Sequence, residues 1–139
     1  MVDGLENLQQ HLEEMNEWAK AVIFDHEARI IASKGYNADP AELPPYLTTL
    51  DSRDNAIAAG FTLNGNHFDV HRFHPPLVYG RRGGPEEGEG IALARALRND
   101  APVYGIITYE FPILSARAVP QLIDFLRKYV GTVEIPPPN

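Results

Sequence analysis

Gly60-Phe61-Thr62-Leu63-Asn64-Gly65-Asn66-His67-Phe68-Asp69-Val70 is the stretch on which the fold reading turns. Asn64-Gly65 sits between two alternating segments, and both residues accept the positive φ angles that a two-residue hairpin turn demands. That turn sets the register: Leu63 opposite Asn66, and Phe61 opposite Phe68. Regular alternation then puts Phe61, Leu63, Phe68, Val70 and Arg72 on one face. Thr62, His67, Asp69 and His71 fall on the other.

Working outward, Pro75-Pro76 turns a corner before a strand from Leu77 to Arg81. A Gly- and Glu-rich loop is expected from Gly83 to Gly90, followed by strands over 91–97 and 103–109 around a turn at Arg98-Asn99-Asp100. A closing helix carries Val119, Leu122, Ile123, Leu126 and Tyr129 as its buried stripe, with Pro120 starting or bending it. On the other side, Asp39-Pro40-Ala41-Glu42 has the cap, the proline and the acid of a helix start, and Pro44-Pro45 cuts that helix short. Ala21 to Phe24 and Arg29 to Ser33 form an earlier strand pair. Leu5, Leu8, Leu12 and Met15 mark an N-terminal helix ending near Trp18, with Asp3 and Glu6 at capping-box spacing. Helix, two strands, short helix, five strands and helix make an α+β fold. Short connections make its sheet antiparallel, with the terminal helices together on one face.

The 139 residues are the length of a single domain, expected over 1–139 with a Pro-rich tail at 131–139. Absence of cysteine removes disulfides, thiolate metal sites and cysteine nucleophiles. No apolar run approaches a membrane span and no signal pattern opens the chain, so a soluble cytoplasmic protein is expected. The net charge of −7 lies wholly in residues 1–60, which hold 4 basic and 11 acidic residues; residues 61–139 hold 8 of each. Nucleic acid is a poor partner for such a chain. The second half still offers Arg72, Arg81, Arg82, Arg95 and Arg98 as a local basic patch, read either as solvated strand surface or as a face for an acidic protein or phosphoinositide head groups.

Other chemistry is thin. His67, Asp69 and His71 alternate as metal ligands can, but the same pattern is the wet side of a half-buried hairpin. A metal-dependent enzyme built on these three is one alternative. The Gly83-Gly84 loop lacks the Lys-Ser/Thr ending of a phosphate cradle and carries glutamates that repel anions. No nucleophile elbow or buried acid–base pair is evident. The expectation is a binding module rather than an enzyme, with no cofactor and no metal.

Several pieces, in order, resemble the profilin family. They are Ala21-Val22-Ile23 with Ile30-Ile31-Ala32, Asp39-Pro40-Ala41-Glu42-Leu43, the Gly60 to His67 hairpin, Val78-Tyr79-Gly80-Arg81-Arg82-Gly83, and Gly105 to Glu110 before the final helix. The resemblance spans roughly residues 19–130. It implies an antiparallel sheet with terminal helices on one side and a face that binds an actin monomer. Ile57, His67, Val70, Arg72, Tyr79, Arg81, Ile113, Leu114 and Asp124 fall at the implied actin contacts. Tyr79 replaces a usual basic residue and Leu114 a usual polar one. The family's groove for proline-rich partners keeps only a remnant at Leu5, Leu8, Ile31 and Tyr129, so polyproline binding should be weak, absent or rebuilt. Phosphoinositide contact would fall to Arg72, Arg81, Arg82 and Arg95. The tail Ile135-Pro136-Pro137-Pro138-Asn139 is either a frayed end or a self-ligand for that groove. The competing layout is a longin-like or roadblock-like scaffold domain that binds a GTPase or another protein.

Overall fold

The computed structural model describes residues 5, 7–36, 40–84 and 87–134. Seven strands form one antiparallel sheet. They are β1 (Lys20–Asp25), β2 (Ile30–Lys34), β3 (Phe61–Leu63), β4 (Asn66–His74), β5 (Leu77–Arg82), β6 (Glu89–Arg98) and β7 (Ala101–Glu110), ordered β2-β1-β7-β6-β5-β4-β3. The helices are α1 (Leu8–Glu13), α2 (Arg53–Ala59) and α3 (Ser115–Tyr129). Pro40–Glu42 and Pro44–Asp51 form tight 3₁₀ turns, as the Pro-Pro pair requires. The α+β architecture is the one expected. Asn64 (φ 52°) and Gly65 (φ 78°) make the hairpin turn, and Phe61–Phe68 and Leu63–Asn66 are paired as the turn dictates. Asn99 (φ 53°) and Asp100 (φ 67°) repeat the device between β6 and β7.

The middle of the sheet is buried on both faces, and β6 explains how. Its Ala92, Ala94 and Ala96 lie in one core, while Ile91 and Leu93 lie in the other. The small side chains let α3 settle closely on the sheet through Ala118, Leu122 and Leu126, with Leu8 and Leu12 of α1 in the same layer. Gly105 of β7 completes this clearance, since a Cβ there would stand 3.2–3.3 Å from Ile23, Leu122 and Leu126. The large side chains on the opposite face meet Tyr36, Leu43 and Tyr46, together with Phe61, Leu63 and Phe68 of β3 and β4. Each fully buried Leu, Ile or Phe contributes about 1.5–3 kcal/mol.

Three boundaries differ from expectation. The first helix stops at Glu13, and Met15 and Trp18 are reached by single turns, Trp18 being carried into the core. α3 starts at Ser115, so Pro120 lies inside it, on the exposed side of its second turn. The supposed tail is packed at its start: Thr132 bridges to Leu97 and Val133 is buried. The rest of the tail, Ile135–Asn139, and the Asp39 cap lie outside the described residues. A separate short helix over 53–59 was not foreseen; Ser52 caps it by accepting from the Asn55 N–H.

One sheet edge is closed by a side chain. Gln9 of α1 exchanges two hydrogen bonds with the backbone of Ser33: the Ser33 N–H donates to Oε1 (3.0 Å) and Nε2 donates to the Ser33 carbonyl (2.7 Å). The amide stands in for a strand residue beside β2.

Candidate docking face

A β-bulge at His71 builds the site. Val70 pairs with Gly80, but Arg72 pairs with Tyr79, so one residue of β4 is left over. Gly80 makes room for this, because a Cβ there would run into the Asp69 carbonyl. The extra residue inverts the alternation. Val70 is 4 % exposed and points into the core away from α3, while Arg72 emerges on the face that α3 covers. The expected shared face of Val70 and Arg72 is therefore corrected: a buried Val70 offers no contact surface, whereas Arg72 is exposed.

Arg72 joins His71, Tyr79, Arg81, Tyr109 and Ser115 around a cleft of about 310 Å³ at the start of α3. The Arg81 Nη2 donates to the Gly84 carbonyl at 3.2 Å. Tyr109 is buried against Gly90, whose missing side chain leaves space for the ring. Burial pushes the Tyr109 phenol up to about 12, helped by Tyr79 and opposed by Arg81 and a hydrogen bond with Ser115, so it stays a neutral hydroxyl. Two guanidinium groups and the positive end of a 15-residue helix surround a cleft whose lining holds no carboxylate. Beside it the β7–α3 connection exposes two large apolar side chains, Phe111 (50 %) and Leu114 (53 %), with Ile113 half-buried between them. The combination is a basic pocket with an apolar shoulder.

A family model, Profilin, matches residues 6–128. The chain belongs to the profilin family. No curated protein matches this profilin sequence. Among solved structures it is similar to Acanthamoeba castellanii profilin IA, with TM-score 0.68 and 21 % identity over 88 % of this chain and 94 % of that one. Schizosaccharomyces pombe profilin gives 0.66 and 18 %, covering 89 % and 94 %. LokiProfilin2, solved in complex with rabbit actin, gives 0.70 and 10 %, covering 92 % and 96 %. The profilin match decides against the longin-like and roadblock-like layouts.

Of the other expected contact residues, Ile57 lies on α2, His67 on β4 and Asp124 on α3, none of them in the cleft lining. α2 packs beside β4, and Ile57 on it is 40 % exposed; His67 is exposed on β4. Asp124 is exposed on α3, nine residues after Ser115 and so about 13 Å further along the helix. His67 Nε2 lies 3.8 Å from Asp69 Oδ1, while His71 lies at the bulge and lines the cleft with Arg72. Among the described residues no three His, Asp or Glu side chains converge as metal ligands.

The four arginines offered for a head group do not form one patch. Arg72 and Arg81 line the cleft, whereas Arg82 and Arg95 belong to the opposite face. Arg82 is bonded to Glu89 (3.1 Å) and lies 5.7 Å from the Phe68 ring centroid. Glu89 was expected in a solvated loop; it is instead 1 % exposed on β6 and also binds Lys20 at 2.8 Å. Burial alone would raise its carboxyl, but the hydrogen bond and charge of Lys20 and a hydrogen bond from Arg82 hold it below the usual carboxylate range.

The groove remnant is only partly a groove. Leu8 is wholly buried, while Leu5, Ile31 and Tyr129 are half-buried around the same core. His11, which the sequence reading passed over, stacks on Tyr129 with ring centroids 3.9 Å apart and planes at 14°. Phe125 meets Tyr129 edge-on at 5.0 Å. No helix among the described residues is long and apolar enough to cross a membrane.

Proposed function

We propose that this chain binds an actin monomer and regulates actin assembly. The observation that carries the reading is the convergence of Arg72, Tyr79 and Arg81 with the exposed Phe111 and Leu114 at the start of α3, in a member of the profilin family. Relatives of the same fold, LokiProfilin1 and LokiProfilin2, have been solved in complex with rabbit actin. An apolar anchor beside arginines that a partner can cover is the usual anatomy of an interface that concentrates its binding energy in a few side chains. A monomer covered on this face is blocked at one end, which either withholds it from nucleation or delivers it to one filament end.

Ile57, His67, Ile113 and Asp124 act in this reading as the surrounding rim. A phosphoinositide head group would compete for Arg72 and Arg81 alone, since Arg82 and Arg95 point the other way. Proline-rich partners find little purchase at Tyr129 because His11 covers one side of its ring. The site of action is the cytoplasm, where actin is assembled.

The test is spontaneous assembly of purified actin with and without the protein. Slower nucleation is expected, and Arg72→Glu should relieve it. No effect on any actin tried, the host's own included, overturns the reading.

A further inference from the structure

A second cleft, larger than that of the docking face, lies elsewhere among the described residues. It measures about 530 Å³, within the range of small-molecule sites, and lies between the Pro44–Asp51 turn segment, α2 and β3. It shares no lining residue with the docking face. Tyr46 and Phe61, both 2 % exposed, are among its walls, with ring centroids 5.0 Å apart. Tyr46 is fixed by donating its hydroxyl to the Thr62 carbonyl at 2.6 Å. Ala56 and Ala59 of α2 supply small side chains on the helix side, which keep the space open.

The charge of the lining has one sign. Glu42 and Asp51 contribute carboxylates, and no lysine, arginine or histidine lines the cleft. Glu42 is held rigidly, since the backbone N–H groups of Asn64 (2.8 Å) and Gly65 (2.9 Å) both donate to its carboxylate. Its charge reaches the aromatic wall, adding to burial in pushing the Tyr46 phenol up. The whole net charge of −7 resides in the first 60 residues, which build most of this cleft. A fixed carboxylate at Glu42 and an exposed one at Asp51, lining an apolar space floored by Tyr46 and Phe61, attract an organic cation through charge while the floor receives its carbon chain.

We propose that this cleft is a binding site for a small organic cation carrying an ammonium group. The probe is putrescine, titrated into the full chain labelled with ¹⁵N, with the neutral diol of equal length as control. Saturable amide shifts confined to residues 45–62 are expected with putrescine and not with the diol. Asp51→Asn removes an exposed carboxylate and should weaken putrescine binding about fivefold. Ala59→Leu, at an exposed helical position, fills the cleft and should abolish it. Equal shifts from the diol, shifts scattered over other acidic surface, no saturation, or an unaffected Ala59→Leu variant overturns the proposal. Actin assembly is not part of the readout, so this proposal and the docking face stand or fall separately.

Discussion

Val70 and Arg72, two positions apart on one strand, point to opposite faces of the sheet. The bulge at His71 sends the valine into the core and the arginine into the cleft. The two residues must then fail differently. Arg72→Glu should leave the melting temperature within a degree or two while relieving the delay in actin assembly. Val70→Ala should cost about 2 kcal/mol of stability and leave the assembly effect of the folded fraction unchanged. Calorimetry and assembly kinetics on the same preparations check both.

Phe111 and Leu114 are exposed, so replacing them removes little packing. Phe111→Ser and Leu114→Ser should each weaken binding to the actin monomer by about 2 kcal/mol, roughly thirtyfold, if they are the apolar anchors of the docking face. Sedimentation or fluorescence titration against monomeric actin measures this. Wild-type affinity in both variants would remove the apolar shoulder from the interface.

Glu89 ties β6 to Lys20 on β1 and Arg82 on β5. Its carboxyl is held below the ordinary value, so the folded state favours the ionised form. The stability this contributes is complete above the unfolded-state value near 4.5 and is lost as the pH falls through that range toward the lower folded-state value. Glu89→Gln should reduce stability at neutral pH by about 1–3 kcal/mol and flatten the acid side of the profile. Urea unfolding between pH 3 and pH 7 (roughly the span of carboxylate titration) shows it. An acid limb of unchanged slope in the variant would contradict this.

His11 covers one side of Tyr129. The wild-type protein should therefore show weak or absent polyproline affinity, and His11→Ala, by freeing the ring, should raise it. Trp18 fluorescence is a poor reporter because that side chain is buried in the core; calorimetric titration with a polyproline peptide is the direct measurement. Equal affinity in both proteins would mean that the stack has no bearing on that groove.

The order of elements was legible because it rests on local chemistry. Asn64-Gly65 accepts the turn and so sets the pairing of Phe61 with Phe68, and Ile91-Ala92-Leu93-Ala94 alternates large with small between two cores. The bulge was legible too, but only in a change of phase. Phe68 and Val70 mark one face at even positions, and the next inward side chain is Phe73, three residues on rather than two. Continuing the alternation past Val70 misplaced Arg72. Glu89 was hidden because its partners are far away in sequence: a glutamate among glycines resembles loop until Lys20 and Arg82 are brought to it. The His11–Tyr129 stack joins the two ends of the chain, and no local spacing announces it. Phe111 was passed over because it follows the last strand, where an exposed aromatic has no period to mark it.

The Gln9 side chain that seals the backbone of Ser33 makes the first helix a guard as well as a packing element. Proteolytic trimming or a bulky fusion that pulls this helix away would bare β2 as a template for another polypeptide, and clipped molecules should then assemble edge to edge. An intact first helix is then what keeps that edge from pairing between molecules.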